Sequence, residues 1–181
     1  MNVVLIGCRG AGKSTVGSLL AERCELDFHD TDELIELRSG QCISEMVAMR
    51  GWEFFRDREK EVVRELSGID PAVIATGGGV VLDPENISFL KQNGLLIWLT
   101  ADEDTIIGRI EADRDKDQQR PSLTGGTLTD ETLSVMAERS SLYEKAADLS
   151  VDTSVKSLDD VVDEICSELY NKRGWSCREI R

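Results

Sequence analysis

The run Gly7-Cys8-Arg9-Gly10-Ala11-Gly12-Lys13-Ser14 constrains this chain more than any other stretch. It fits the pattern G-x-x-x-x-G-K-[ST]. The apolar run Val3 to Ile6 precedes it, and a segment with apolar residues at Val16, Leu19 and Leu20 comes after it. A strand, a glycine-rich turn and a helix in that order curl successive backbone N–H groups toward one anion. The positive end of the helix dipole adds to the attraction. In such a loop Lys13 reaches the outer phosphates of a nucleoside triphosphate, and the Ser14 hydroxyl is placed to ligate Mg²⁺.

Downstream, short apolar runs alternate with helical patterns. Leu26 to Phe28, Ala72 to Ala75, Leu95 to Leu99 and Leu149 to Val151 read as further strands. Helices are expected over Lys13 to Arg23, through Leu34 and Ile35, over Glu53 to Leu66, over Asp102 to Ala112, and from Ser157, which reads as a cap. Non-alternating apolar strands separated by helices specify an α/β fold, a parallel sheet covered on both faces. Residues 1–170 form the expected single domain. The polar stretch from Asp113 to Thr127, with Arg120-Pro121 and Gly125-Gly126, reads as a lid. Residues 171–181 form a tail of unassigned role.

Composition narrows the partners. The net charge of −14 disfavours nucleic acid and anionic membrane surfaces. No segment approaches the roughly 20 apolar residues that a membrane span needs. The five cysteines are odd in number and lack a Cys-x-x-Cys pair, so a reduced, cytoplasmic setting without disulfides is expected. His29 is the sole histidine, which argues against a histidine-rich metal centre.

The segments beyond the loop limit the type of nucleotide chemistry. The guanine-reading Asn-Lys-x-Asp is absent. The strand at Leu95 to Leu99 lacks the terminal acid of a motor ATPase, and Asp102 to Asp104 read instead as a helix start. The second strand leads into Asp30-Thr31-Asp32, at the sheet edge where open α/β proteins bind ligands. Two carboxylates there can divide tasks between metal and substrate hydroxyl. Helix capping is the competing use of Asp30.

Six motifs in order complete the pattern: Gly-x-x-Gly-x-Gly-Lys-Ser-Thr, Asp-Thr-Asp, Gly51-Trp52-Glu53-x-Phe55-Arg56-x-x-Glu59, Thr76-Gly77-Gly78-Gly79, Arg120-Pro121 and Glu138-Arg139-x-x-x-Tyr143. This ordered set closely resembles shikimate kinase. The resemblance implies a three-layer kinase fold of the nucleoside-monophosphate-kinase type, with a five-stranded parallel sheet flanked by helices. It implies ATP as phosphoryl donor and shikimate as acceptor, giving shikimate 3-phosphate on the chorismate route to aromatic amino acids. Gly10, Ala11, Gly12, Lys13, Ser14 and Thr15 would hold ATP. Ser14 would ligate Mg²⁺, supported by Asp30 through water. Asp32 would bind the ring hydroxyls, Arg56 and Arg139 the carboxylate, and Gly78 would offer its N–H. Lys13, Asp32 and Arg120 would carry the chemistry. Arg109 and Arg114 are both candidates for the adenine contact. A monomer is expected.

The chemistry agrees. Planar guanidiniums bond a carboxylate bidentately, and the cations Lys13, Arg120 and Mg²⁺ suit a transferring phosphoryl group. The alternatives are a gluconate-type kinase of the same fold and a non-catalytic nucleotide-binding module. The trio Asp32, Arg56 and Arg139 discriminates against the first; the second needs a γ-phosphate-sensing loop and a partner surface, and the sequence signals neither.

Overall fold

The computed structural model describes residues 1–112 and 128–174. Its five strands are β1 (Asn2–Ile6), β2 (Asp27–Asp30), β3 (Ala72–Ala75), β4 (Gly94–Thr100) and β5 (Leu149–Asp152). They form one sheet in the order β2-β3-β1-β4-β5, with every neighbouring pair parallel. The expected α/β class and five-stranded sheet are therefore present. Parallel strands need crossovers, and the helices that supply them cover the sheet. Hence β1 and β3 are wholly buried and apolar apart from Asn2, whose Nδ2 donates to Ile69 O at 2.7 Å and whose Oδ1 accepts from Ala72 N at 3.0 Å.

The helices are α1 (Lys13–Cys24), α2 (Thr31–Ser39), α3 (Ile43–Leu66), α4 (Pro84–Asn93), α5 (Glu103–Ala112), α6 (Leu128–Ala146) and α7 (Leu158–Arg173). The start of α7 obeys the sequence signal: the Ser157 side chain accepts from Asp160 N, and the Asp160 side chain accepts from Ser157 N. The buried Arg23 on α1 pairs with Asp159 and Asp163, tying α1 to α7.

α3 is two limbs. Gly51 breaks it with φ 83° and ψ 170°, a conformation that costs a residue with a Cβ. The limb before the break buries Ile43 and Met46; the limb after it buries Phe55, Glu59, Val62, Val63 and Leu66.

The structure departs from expectation in several places. β2 is Asp27–Asp30 rather than Leu26 to Phe28, because its ladder to β3 pairs Asp27 with Ala72 and Asp30 with Ala75. At this edge strand the partner's register outweighs side-chain polarity. The first limb of α3, and α4 and α6, are additional to the expected helices. Cys8, Cys42 and Cys166 are free thiols, whereas Cys24 is disulfide-bonded, against the expectation of no disulfide. Spacing alone does not say which cysteines a fold brings together. Among the described residues, no helix is long and apolar enough to cross a membrane. The expected lid, 113–127, lies outside them, as does the tail beyond 174.

α1 sits close to the sheet at Gly17, where an added Cβ would lie 2.6 Å from Phe28 Cε2 and 3.3 Å from Leu5 Cδ1. Gly17→Val should therefore cost about 1–3 kcal/mol in denaturant unfolding. Adding Phe28→Leu should recover part of the loss, because the clash is with the ring.

Candidate active site

β1 delivers the chain into the loop that opens α1. Gly10 and Gly12 take φ values of 79° and 89°, in the left-handed region. Gly12 is the N-cap of α1 and has no side chain to bond the helix's first amides. Those amides, at the positive end of the dipole, are open to an external anion. Gly10, Ala11 and Gly12 thus form the curve, and Lys13, Ser14 and Thr15 form the first turn of α1. Lys13 Nζ donates to Cys8 O at 2.8 Å, which carries the ammonium back across the loop.

Arg109 of α5 braces the loop from outside. Its Nη1 donates to Gly10 O at 3.2 Å, and its Nη2 donates to Thr153 O at 2.6 Å, just past β5. Of the two arginines considered for the adenine contact, Arg109 lies beside the loop; Arg114 and Arg120 lie outside the described residues.

Asp30, at the end of β2, serves two structures at once. Its Oδ1 accepts from Asp32 N at 2.9 Å and Glu33 N at 3.4 Å, capping α2. Its Oδ2 accepts from Ser14 Oγ at 2.6 Å. The capping use of Asp30 is present, and its second oxygen bonds the loop as well.

Asp32, Arg56, Gly78 and Arg139 line one hollow, and Cys8 and Arg9 of the loop border it. The sequence-derived trio is therefore assembled beside the loop. Trp52 and Phe55 form part of the wall, their rings edge to face at 5.8 Å. The Arg56 guanidinium lies over both rings, 5.5 and 5.0 Å from their centroids. The glycine turn after β3 makes room for the polar groups. A Cβ on Gly77 would lie 2.6 Å from Asp32 Oδ1, and one on Gly79 would lie 2.1 Å from Arg56 Nη2. Arg139 Nη1 donates to Gly78 O at 3.1 Å, and the Tyr143 hydroxyl donates to the same oxygen at 2.5 Å.

Glu59 is a member of the site that sequence reasoning passed over. Its side chain is wholly buried, and its Oε2 accepts from Arg56 Nη1 at 2.7 Å. Its Oε1 is buried without a hydrogen-bond partner among the described residues. Burial pushes the Glu59 carboxyl up from 4.5 to about 6; Arg56 pulls the other way, and Asp32 adds to the rise. With the native pKa raised, the unfolded chain sheds this proton first. The group's contribution to stability is thus greatest below about pH 4.5 and falls as pH rises to about 6. In the sequence, Arg56 and Glu59 look like a solvated i,i+3 pair. The available signal was that Glu59 falls on the apolar stripe Phe55, Val62, Leu66.

Comparison with known proteins agrees with this arrangement. The family model described as shikimate kinase matches residues 9–170. The chain is 44% identical over 180 residues to the shikimate kinase of Syntrophus aciditrophicus, covering 95% of this chain and 92% of that one. It superposes on the shikimate kinase of Acinetobacter baumannii, solved in complex with shikimate, with a TM-score of 0.87, 32% identity and coverage of 95% and 94%. The Aquifex aeolicus shikimate kinase gives a TM-score of 0.76 at 33% identity, with coverage of 96% and 99%. A family model that spans most of the chain, and a relative 44% identical over nearly its whole length, show that this chain belongs to the shikimate kinase family.

Proposed function

We propose that the chain transfers the γ-phosphoryl group of ATP to the 3-hydroxyl of shikimate. The observation that carries this reading is the hollow in which Asp32, Arg56, Gly78 and Arg139 converge beside the phosphate loop. Arg9, Arg56 and Arg139 face it beside the carboxylates Asp32, Glu59 and Glu131, which places three guanidiniums together in a chain of net charge −14. A small hydroxylated acid matches it group for group.

Arg56 and Arg139 would bind the carboxylate from two sides, each through charge-assisted hydrogen bonds. That orientation brings the ring hydroxyls toward Asp32. Asp32 would accept the proton of the attacking hydroxyl, directing its oxygen toward the γ-phosphorus. The open amides of α1 would hold the triphosphate, and Lys13 would leave Cys8 O to pair with its outer oxygens. In-line geometry and cationic stabilisation then supply most of the acceleration, because a loose phosphoryl transition state asks for little else. Arg120, outside the described residues, is proposed on the sequence pattern as a further cation at the transferring group.

The hard oxygens of Ser14 and Asp30, 2.6 Å apart at the loop, suit Mg²⁺. Ser14 would ligate it directly and Asp30 through water. When bound, the ion neutralises charge on the phosphate oxygens.

A coupled assay should give ADP release that depends on shikimate and is absent with gluconate. Lys13→Met should lower kcat by on the order of 10²–10³-fold, as loss of a transition-state cation does. Arg139→Lys should raise the shikimate KM roughly 10- to 100-fold with a smaller effect on the ATP KM. Release of ADP at the same rate with and without shikimate would overturn the reading.

The Glu59–Arg56 pair makes the clamp sensitive to acid. Below about pH 6 Glu59 takes up its proton and loses the charge-assisted bond that holds Arg56. The shikimate KM should therefore rise as pH falls through this value, with an inflexion near 6 that Glu59→Gln removes. An unaltered inflexion in that variant would assign it to another group.

A further inference from the structure

The two guanidiniums of the clamp share one peptide unit, that between Gly78 and Gly79. Its carbonyl accepts from Arg139 Nη1 at 3.1 Å. Against its other end lies the Arg56 guanidinium, whose Nη2 and Nη1 are 2.1 and 2.3 Å from where a Gly79 Cβ would stand. Arg56 therefore lies against this unit and Arg139 is bonded to it. A unit with no side chains of its own is held only by what its neighbours impose.

The stiffest of those neighbours is Tyr143. Its side chain is buried, 2% exposed, in α6. Its hydroxyl donates to Gly78 O at 2.5 Å, shorter than the Arg139 bond to the same atom. Trp98 of β4 stacks on the Tyr143 ring, with centroids 5.9 Å apart and planes 22° apart. The phenol is thus fixed between the sheet and the glycine turn. Burial raises its pKa, so it remains a donor at any working pH.

Resting on shikimate as the acceptor, we propose that Tyr143 is a positioning residue for the carboxylate clamp: its hydroxyl holds the Gly78–Gly79 peptide on which Arg56 and Arg139 both rest. Its side chain is not among those lining the hollow. Removing the hydroxyl leaves the ring and its stacking, takes away the hydroxyl's contact with Arg139, and frees the peptide to turn. The loss falls on the part of binding that depends on the acceptor's carboxylate.

The test is Tyr143→Phe, read by titration calorimetry in the presence of ADP and by steady-state kinetics. The shikimate Kd and KM should rise about five- to tenfold, the worth of one buried neutral hydrogen bond. kcat should stay within about twofold, and the ATP KM should not move. The decisive readout is an analogue whose carboxylate is replaced by hydroxymethyl. The variant and the unaltered chain should bind it equally, which a merely structural role for Tyr143 would not produce. Unchanged shikimate affinity, or an equal loss for acid and analogue, overturns the proposal. If thermal unfolding shows that Tyr143→Phe does not fold, Trp98→Leu, which removes the stacking but keeps the hydroxyl, decides. A carboxylate-selective loss there supports the proposal, and a uniform loss or none overturns it. An unaltered chain with no shikimate-dependent ADP release would instead bring down the underlying functional reading, before any substitution is made.

Discussion

Asp30 is the joint on which the site hangs. One carboxylate oxygen caps α2 and the other accepts from Ser14, so a single side chain fixes the start of α2 relative to the phosphate loop. Asp32 sits in that first turn, so its place relative to the cradle follows from the bonds of Asp30. Parallel pairing does the rest. The register of β2 on β3 and of β3 on β1 brings the ends of all three strands to one edge, and each end delivers a different part of the chemistry.

Electrostatically, the site is an exception within its own chain. The molecule is acidic, and its anionic acceptor needs positive charge. Arg9, Arg56 and Arg139 face the hollow, yet Arg56 is itself balanced by a buried Glu59. Burying a carboxylate is costly, and the raised Glu59 pKa expresses that cost. What the pair contributes is direction: the guanidinium is held on one side by Glu59 and beneath by the glycine turn. The same economy of contacts appears at Arg109, which fastens the phosphate loop to the segment after β5 with two carbonyl bonds.

Much of this was legible from residues alone, for identifiable reasons. The loop is a local motif, and β1, β3 and β4 are continuous apolar runs that only a covered parallel sheet accommodates. Asp32, Arg56 and Arg139 came from pattern resemblance, and the hollow brings them together. Edge strand β2 is displaced from its expected span because its polar residues carry no strand signature of their own. α4 begins with Asp83 capping and Pro84 at its start, a signal readable in the sequence. α6 has an acidic first turn but no clear apolar stripe in sequence. Glu59 and Tyr143 were written in the motifs, but their meaning lies in burial and in bonds to residues far along the chain, which spacing does not disclose. Arg120 and Arg114 fall outside the described residues.

The contact between Arg56 and Gly79 has a consequence for how such chains diverge. The guanidinium lies within 2.5 Å of where a Cβ at 79 would stand, so a side chain there would displace it from its present place. A descendant that gave up Arg56 for a small residue would open room for a methyl group at 79. Once that methyl was present, a returning arginine would have to carry its guanidinium elsewhere, away from the glycine turn. Loss of the acidic acceptor along this route would act as a ratchet, closing the way back to it.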